Sequence, residues 1–126
     1  MVIDTSLFIE HLRISNKTAS TLYRISNTQQ LFISSVSLYE LYMGATTKEK
    51  QNDLKLLTED LPVLSFSKEI ALKAAEIYHK LRRSNEMIEF RDIFIAATCV
   101  VYKIPIATLN KKHFTRIPHL KIVSDI

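Results

Sequence analysis

Short apolar runs rich in β-branched residues alternate along this chain with longer stretches whose apolar positions recur three or four residues apart. The short runs predict β-strands, and the longer stretches predict helices that each bury one face. The predicted strands cover residues 1–4, 30–34, 63–66, 104–108 and 120–123. The predicted helices begin after a cap at Thr5 or Ser6 and then cover 18–26, 37–44, 48–60, a long stretch capped by Ser67, 93–102 and 111–115.

Local signals define several helix ends. Ser37 and Glu40 fit the S-x-x-E capping box, so a helix is predicted to start at Ser37 with Glu40 on its first turn. Gly44, the single glycine of the chain, stands where a left-handed C-terminal cap would end this helix. Residues 93–102 are apolar nearly all round, which predicts a deeply buried helix.

The alternation of strands and helices favours a parallel sheet covered on both faces, so the predicted fold class is α/β. No repeat, low-complexity segment or linker-like stretch interrupts the sequence, and we expect residues 1–126 to form one domain. Functional groups in such folds gather outside the carboxyl ends of the strands. Asp4, residues 34–40 and residues 108–110 are all predicted to lie at that edge.

Composition narrows the class of protein. With 47% hydrophobic residues among 126, the chain can bury a substantial core. No apolar run approaches the roughly 20 residues that span a bilayer, and the opening residues lack the basic region of a signal peptide. Cys99 is the only cysteine and cannot form an internal disulfide. We therefore expect a cytoplasmic protein without a membrane partner.

The net charge is +4, and the basic residues are unevenly placed. Lys103, Lys111, Lys112, Arg116 and Lys121 fall in a segment that contains no acid. Lysine and arginine side chains that neutralise phosphates dominate nucleic-acid affinity, so this segment is a candidate polyanion-facing surface. An ordinary solvated surface explains the same charges equally well.

Three acids stand where predicted strands end or predicted helices begin: Asp4, Glu40 and Asp92. A buried carboxylate is costly unless it is paired, hydrogen-bonded or coordinated to a cation. Their recurrence in one small chain predicts a shared site for Mg²⁺ or Mn²⁺, which prefer carboxylate oxygen and water. Such an ion lowers the pKa of a bound water and stabilises the attacking and leaving oxygens of a phosphoryl displacement.

Each acid also has a purely structural explanation. The capping box alone accounts for Glu40, and the helix dipole alone accounts for Asp92. Asp4 is harder to explain in this way, because a carboxylate at the end of a buried strand has few structural roles. Other chemistries find little support: one glycine cannot build a phosphate-binding loop, and apolar surroundings would raise the pKa of the Cys99 thiol.

Four segments carry a resemblance to a known family: residues 2–6 with Ile9, residues 34–45, residues 92–98, and residues 105–114 with Ile117 and Pro118. In this order and spacing they resemble the PIN-domain ribonucleases, and specifically the VapC-type toxins of bacterial and archaeal toxin–antitoxin pairs. The resemblance implies a three-layer α/β/α sandwich with a central parallel sheet. It also implies Mg²⁺- or Mn²⁺-dependent endonuclease action on structured RNA such as tRNA or rRNA.

The resemblance also assigns roles to residues. Asp4, Glu40 and Asp92 are implied as metal ligands and catalytic residues, and Asn110 is expected to orient water or substrate. The side chains expected to position the substrate are Thr5, Ser6, Thr108, Lys111 and Lys112. Family members form homodimers and are inhibited by a small antitoxin protein whose tail blocks the acidic groove, so both partners are expected here.

Two departures from the family pattern change these expectations. Ser6 stands where many relatives have asparagine, although its hydroxyl can still hydrogen-bond the first carboxylate. A fourth acid that the family often has is missing, and Asn110 and His113 are the candidates for its place. With about one negative charge fewer, we expect one firmly bound metal ion rather than two. The alternative is a PIN fold that binds RNA or a partner protein but cuts poorly.

Overall fold

The structure, a computed structural model, describes residues 1–124 and 126. Within these residues it has four strands of two residues each: β1 (Val2–Ile3), β2 (Ile33–Ser34), β3 (Val63–Leu64) and β4 (Ile106–Ala107). Its α-helices are α1 (Thr5–Arg13), α2 (Thr21–Ile25), α3 (Ser35–Gly44), α4 (Lys48–Thr58), α5 (Lys68–Arg83), α6 (Phe90–Tyr102) and α7 (Lys111–Phe114). No described helix is long and apolar enough to span a bilayer.

The strands form a parallel sheet in the order β3–β2–β1–β4. β1 pairs with β4 and β2 pairs with β3, in both cases parallel. A parallel bridge between Val2 and Phe32 joins the two pairs, and another bridge places Ile122 beside Ile106 at the edge. Each predicted strand is therefore found, but in shorter form, and residues 120–123 contribute only the bridge at Ile122.

Neighbouring residues of a strand face opposite sides of the sheet, and helices cover both sides. Val2 and Ile106 pack in one core with buried residues of α5, α6 and α7. Ile3 and Ala107 pack in a second core with buried residues of α1, α2, α3 and α4. This separation follows from the two-residue period of a strand. The fold is thus the three-layer α/β/α sandwich with a central parallel sheet that the sequence predicted.

Two predicted helices match the structure closely. In α5 the buried residues are Ile70, Ala74, Ile77 and Leu81, at the helical spacing seen in the sequence. The hydroxyl of Ser67 accepts a hydrogen bond from the amide of Ile70 at 3.2 Å and caps this helix as predicted. Helix α6 is buried from residue 95 to residue 99, which confirms the prediction of a deeply buried helix and fixes Asp92 on its first turn.

Several helix ends differ from the prediction. Helix α3 begins at Ser35, because the hydroxyl of Ser34 accepts the amide hydrogen bond of Ser37 at 3.0 Å and caps the helix two residues early. Glu40 therefore lies on the second turn, not on the first. The left-handed glycine cap is also wrong, since Gly44 is helical and the next residue, Ala45, has a φ of −92°.

The chain around the first two helices corrects two further predictions. The N-cap residue of α1 is Asp4, without a side-chain cap, so the prediction that Thr5 or Ser6 caps this helix is wrong. The predicted helix over residues 18–26 is divided into a 3-10 turn at Lys17–Ala19 and helix α2. The hydroxyl of Ser20 caps the second part by accepting the amide hydrogen bond of Tyr23 at 3.1 Å. The freed hydroxyls of Thr5 and Ser6 make other contacts.

Candidate active site

The predicted acids meet at the carboxyl edge of the sheet. Asp4 follows β1, Glu40 projects from α3, Asp92 lies on the first turn of α6, and Asn110 follows β4. All four line one cavity of about 440 Å³. Thr5, Ser6, Ile9, Glu10, Arg13, Arg91 and Leu109 complete its lining. Residues far apart in the chain are therefore brought together as the strand order requires.

Asp4 is almost completely buried and is held by two hydroxyl groups. Ser6 Oγ donates to Asp4 Oδ2 at 2.8 Å, and Thr108 Oγ1 donates to the same oxygen at 2.7 Å. The prediction that the Ser6 hydroxyl can orient this carboxylate is confirmed. Among the described residues, no hydrogen bond reaches Asp4 Oδ1. One oxygen is thus fixed by the protein, and the other remains available to a ligand.

The backbone after β4 fixes these two hydroxyls in turn. The amide of Leu109 donates to Ser6 Oγ at 3.1 Å, and the amide of Asn110 donates to Thr108 Oγ1 at 3.0 Å. Each hydroxyl therefore accepts from the backbone and donates to Asp4, which leaves it one orientation. Thr108 itself is fully buried, so its role in this structure is to position Asp4 and not to touch a substrate.

Both oxygens of Glu40 have protein partners. The hydroxyl of Thr5 donates to Glu40 Oε1 at 3.1 Å and also lies 3.0 Å from the hydroxyl of Ser37. Arg91 Nη1 lies 3.0 Å from Glu40 Oε2. The Glu40 side chain is only 13% exposed. A carboxylate this far from water needs such partners, and Arg91 supplies the opposite charge.

Asp92 faces a histidine. His113 Nδ1, on α7, lies 3.2 Å from Asp92 Oδ2. Glu89, which precedes α6, makes no cap with its side chain and instead accepts from Arg91 Nη2 at 2.7 Å. His113 thus supports Asp92 from outside the cavity lining, whereas Asn110 lies in the lining itself.

Burial and mutual repulsion raise the pKa of two of the acids, Glu40 and Asp92. Burial is the main cause that raises the pKa of Glu40 above its ordinary value, and the charges of Asp4 and Asp92 raise it further. The pKa of Asp92 is raised mainly by burial and then by the charge of Asp4. The hydrogen bond from Thr5 and the charge of Arg91 oppose the shift at Glu40. A cation in the cavity would relieve this repulsion and favour the ionised forms.

The donor chemistry of the cavity fits a small divalent cation. Carboxylate oxygens are the ligands that Mg²⁺ and Mn²⁺ prefer, and the charge of Asp4 raises the pKa of both Glu40 and Asp92 at this cavity. Within the described chain, however, no three acidic, histidine or cysteine side chains are already arranged around one ion position. The contacts of Glu40 with Thr5 and Arg91 agree with this. The three-carboxylate ligand set therefore remains a prediction.

The predicted basic residues lie outside the cavity lining. Lys111 Nζ donates to the backbone carbonyl of Ser124 at 3.0 Å, which ties α7 to the residues that follow Ile122. Lys112 is exposed on the same short helix. Cys99 is buried, and burial is the main cause that raises its pKa to about 12, as expected for a thiol without a catalytic role.

Among the charged lining residues to which sequence reasoning gave no role (Glu10, Arg13 and Arg91), Arg91 is the one that contacts a predicted metal ligand, Glu40. It is the second residue of α6, where the helix dipole disfavours a positive charge. An arginine at such a position needs anionic neighbours. Its place at the start of a predicted helix could therefore have indicated that Arg91 pairs with acids. The structure supplies them as Glu40 and Glu89. Ser37, buried beside Thr5, was identified only as a cap.

Comparison with known proteins agrees with the fold. The PIN domain family model matches residues 1–120. The chain belongs to the PIN-domain family.

Within this family the chain is similar to VapC ribonucleases. Ribonuclease VapC of Rickettsia bellii is 32% identical, over 98% of this chain and 95% of that protein. Ribonuclease VapC10 of Mycobacterium tuberculosis is 33% identical, over 96% of this chain and 90% of that protein. The crystal structure of DNA-bound VapBC from Salmonella typhimurium aligns with a TM-score of 0.86 at 26% identity, covering 97% of this chain and 95% of that chain.

Proposed function

We propose that this protein is the toxin of a toxin–antitoxin pair and acts as a Mg²⁺-dependent endoribonuclease, with Mn²⁺ able to substitute. The observation that carries the proposal is the meeting of Asp4, Glu40 and Asp92 at one cavity. The full-length similarity to ribonucleases named VapC supports it. RNA is available in the cytoplasm, where we propose that the protein acts.

Asp4 and Asp92 would hold the ion first, because each has an oxygen that accepts no hydrogen bond from the described residues. When bound, the ion would lower the pKa of a water and neutralise charge on the scissile phosphate. Ser6 and Thr108 keep Asp4 in one orientation throughout. Such positioning by buried hydrogen bonds reduces the reorganisation needed during reaction.

The substrate that we propose is structured RNA, such as tRNA or rRNA. Asn110 is exposed at the cavity and can hydrogen-bond a nucleotide or a water. Arg13 lines the same cavity and Lys112 is exposed nearby on α7, so both can meet the phosphate backbone. Lys111 supports this surface indirectly, through its contact with Ser124.

Two protein partners belong to the proposal. A cavity of about 670 Å³ between α1, α3 and α4 is lined by apolar residues such as Leu12 and Leu41 and shares Glu40 with the acidic cavity. An antitoxin segment bound there would reach the acids. A homodimer is supported by exposed apolar side chains on α3 and α6, with Tyr39 at 63%, Met43 at 55% and Phe90 at 63% exposure.

The proposal is tested by incubating wild-type and Asp4→Asn protein with total bacterial RNA and Mg²⁺ or Mn²⁺, followed by sequencing of new RNA ends. Asp60→Asn is the matched control, because Asp60 is exposed and outside the cavity lining. We expect discrete new ends from wild type and Asp60→Asn that EDTA removes, and none from Asp4→Asn. Equal cleavage by Asp4→Asn would show that the assigned site is wrong.

A second candidate function is RNA or partner binding with little catalysis. It is favoured by the absence of a preassembled three-ligand group in the described chain and by the family's fourth acid being replaced. RNA retained by wild type without new ends at any metal concentration would support this candidate. Cleavage that depends on Asp4 would exclude it.

A further inference from the structure

The guanidinium of Arg91 bridges two glutamates beside the acidic cavity. Nη1 lies 3.0 Å from Oε2 of Glu40, and Nη2 lies 2.7 Å from Oε2 of Glu89. The Arg91 side chain is 47% exposed and the Glu40 side chain is 13% exposed. A cation that reaches solvent is thus placed on a largely buried carboxylate of the site.

Each carboxylate oxygen of Glu40 contacts a protein donor. Thr5 donates to Oε1, whereas Oε2 is the oxygen that faces a cationic side chain. Arg91 now contacts that oxygen. Two positive charges cannot share one carboxylate oxygen at contact distance without strong repulsion.

We propose that Arg91 and the divalent cation compete for Glu40 Oε2, so that Arg91 satisfies this carboxylate until the ion displaces it. The inference rests on the metal site of the proposed function. Arg91 has a second anchor in Glu89, which can keep the guanidinium beside the cavity after Glu40 is released. The exchange is feasible because Arg91 is half-exposed, so solvent screens its charge and can hydrate the guanidinium after it leaves Glu40.

The competition accounts for the arrangement of the acids. A third ligand held by Arg91 explains why Asp4, Glu40 and Asp92 line one cavity although no described group of three surrounds an ion position. It also explains an arginine at the unfavourable start of α6. The consequence is that Arg91 lowers the affinity of the protein for a divalent ion.

The test is a Mn²⁺ titration of the full chain without RNA, with free Mn²⁺ followed by electron paramagnetic resonance. Arg91→Gln is compared with Arg13→Gln, because Arg13 lines the same cavity but no described ion pair joins it to an acid. Both variants lose one positive charge. We expect about threefold to tenfold tighter Mn²⁺ binding by Arg91→Gln and less than about a twofold change for Arg13→Gln.

Two results separate failure of this inference from failure of the metal site. Mn²⁺ binding by Arg91→Gln that equals that of wild type or of Arg13→Gln, while Asp4→Asn abolishes it, overturns the competition alone. Absence of binding in every variant, or binding unaffected by Asp4→Asn, overturns the metal site and the competition together. Arg91→Lys is a second variant for the case that Arg91→Gln misfolds. A lysine cannot span both glutamates, so the Mn²⁺ affinity of Arg91→Lys should fall between those of wild type and Arg91→Gln.

Discussion

Thr108 and Asp4 are 104 residues apart in the chain, and the Thr108 hydroxyl donates a 2.7 Å hydrogen bond to Asp4 Oδ2 in the buried interior. Because Thr108 also accepts from the amide of Asn110, its hydroxyl couples the ends of β1 and β4. The orientation of the first carboxylate therefore depends on the last strand of the sheet. This dependence can be separated from general stability by experiment.

Thr108→Val should reduce RNA cleavage about tenfold or more while lowering the free energy of unfolding by roughly 1–3 kcal/mol, because a buried donor and acceptor are lost. Thr58→Val is the control, since Thr58 is buried and its hydroxyl donates to the Leu54 carbonyl within α4. Denaturant unfolding and cleavage rates are measured on both. If both variants lose activity in proportion to stability, Thr108 has no positioning role.

Asp92→Asn should raise the melting temperature in EDTA near pH 7.5 by about 1–5 °C. Burial and the charge of Asp4 raise the pKa of Asp92 in the folded state, so ionisation costs the folded protein stability. This cost is absent below the ordinary carboxyl pKa and complete above the raised folded pKa. The difference between variant and wild type should therefore vanish as pH falls toward about 4.

Thermal melts of wild type, Asp92→Asn and the exposed control Asp60→Asn across this pH range measure the effect. A clear fall in the melting temperature of Asp92→Asn at pH 7.5 would mean that Asp92 serves mainly to stabilise the start of α6. In that case its value to the fold exceeds the cost of burying its charge.

Mn²⁺ should stabilise the wild-type protein by linkage, with about 2.7 kcal/mol gained at a concentration of 100 times Kd. The stabilisation should weaken as pH falls, because the raised pKa values of Glu40 and Asp92 mean that protons compete with the ion. Melting curves with and without Mn²⁺ at several pH values test this. An equal shift in Asp4→Asn would place the bound ion elsewhere.

Lys112→Glu should weaken RNA binding and reduce the slope of log affinity against log salt by about 1, or more, since charge is reversed. Lys112 is exposed, so the change should leave the fold intact. Lys48→Glu is the control, because Lys48 is exposed at the start of α4. The slope is measured by filter binding of RNA to both variants, each of which also carries Asp4→Asn to prevent cleavage. Identical slopes for both variants would mean that α7 does not face the substrate.

Lys111→Glu tests a different role on the same helix. Its ammonium donates to the carbonyl of Ser124, so charge reversal removes the contact between α7 and Ser124. We expect both weaker RNA binding and lower stability, the latter by about 1 kcal/mol. A change in RNA affinity without any change in the melting temperature would show that this contact contributes little.

The parts of the fold that depend on local periodicity were predictable. The spacing of Ile70, Ala74, Ile77 and Leu81 fixed the buried face of α5 before any tertiary contact was known. The position of Asp4 at the end of a buried strand was also readable, because parallel strands end at one edge. These features follow from the regular geometry of helices and parallel strands, which can be applied without knowledge of tertiary contacts.

The remaining features depend on how distant segments meet. Ser34, Ser35 and Ser37 are all capable caps, and only the exit of the chain from β2 decides that Ser34 takes the role. The partner of Arg91 could not be read from its neighbours, since Glu40 lies 51 positions earlier on another helix. The sequence pattern identifies such residues as candidates, but their contacts depend on three-dimensional packing.

The strand order also has a consequence for biosynthesis. β1 lies at the start of the chain and pairs with β4. Thr108 follows β4, and its hydroxyl completes the surroundings of Asp4. Thr108 must therefore have emerged from the ribosome before this carboxylate is held as in the folded protein. A partly made chain would carry Asp4, Glu40 and Asp92 without the structure that organises them. A cell making this proposed toxin would thus be protected from it until Thr108 has emerged from the ribosome.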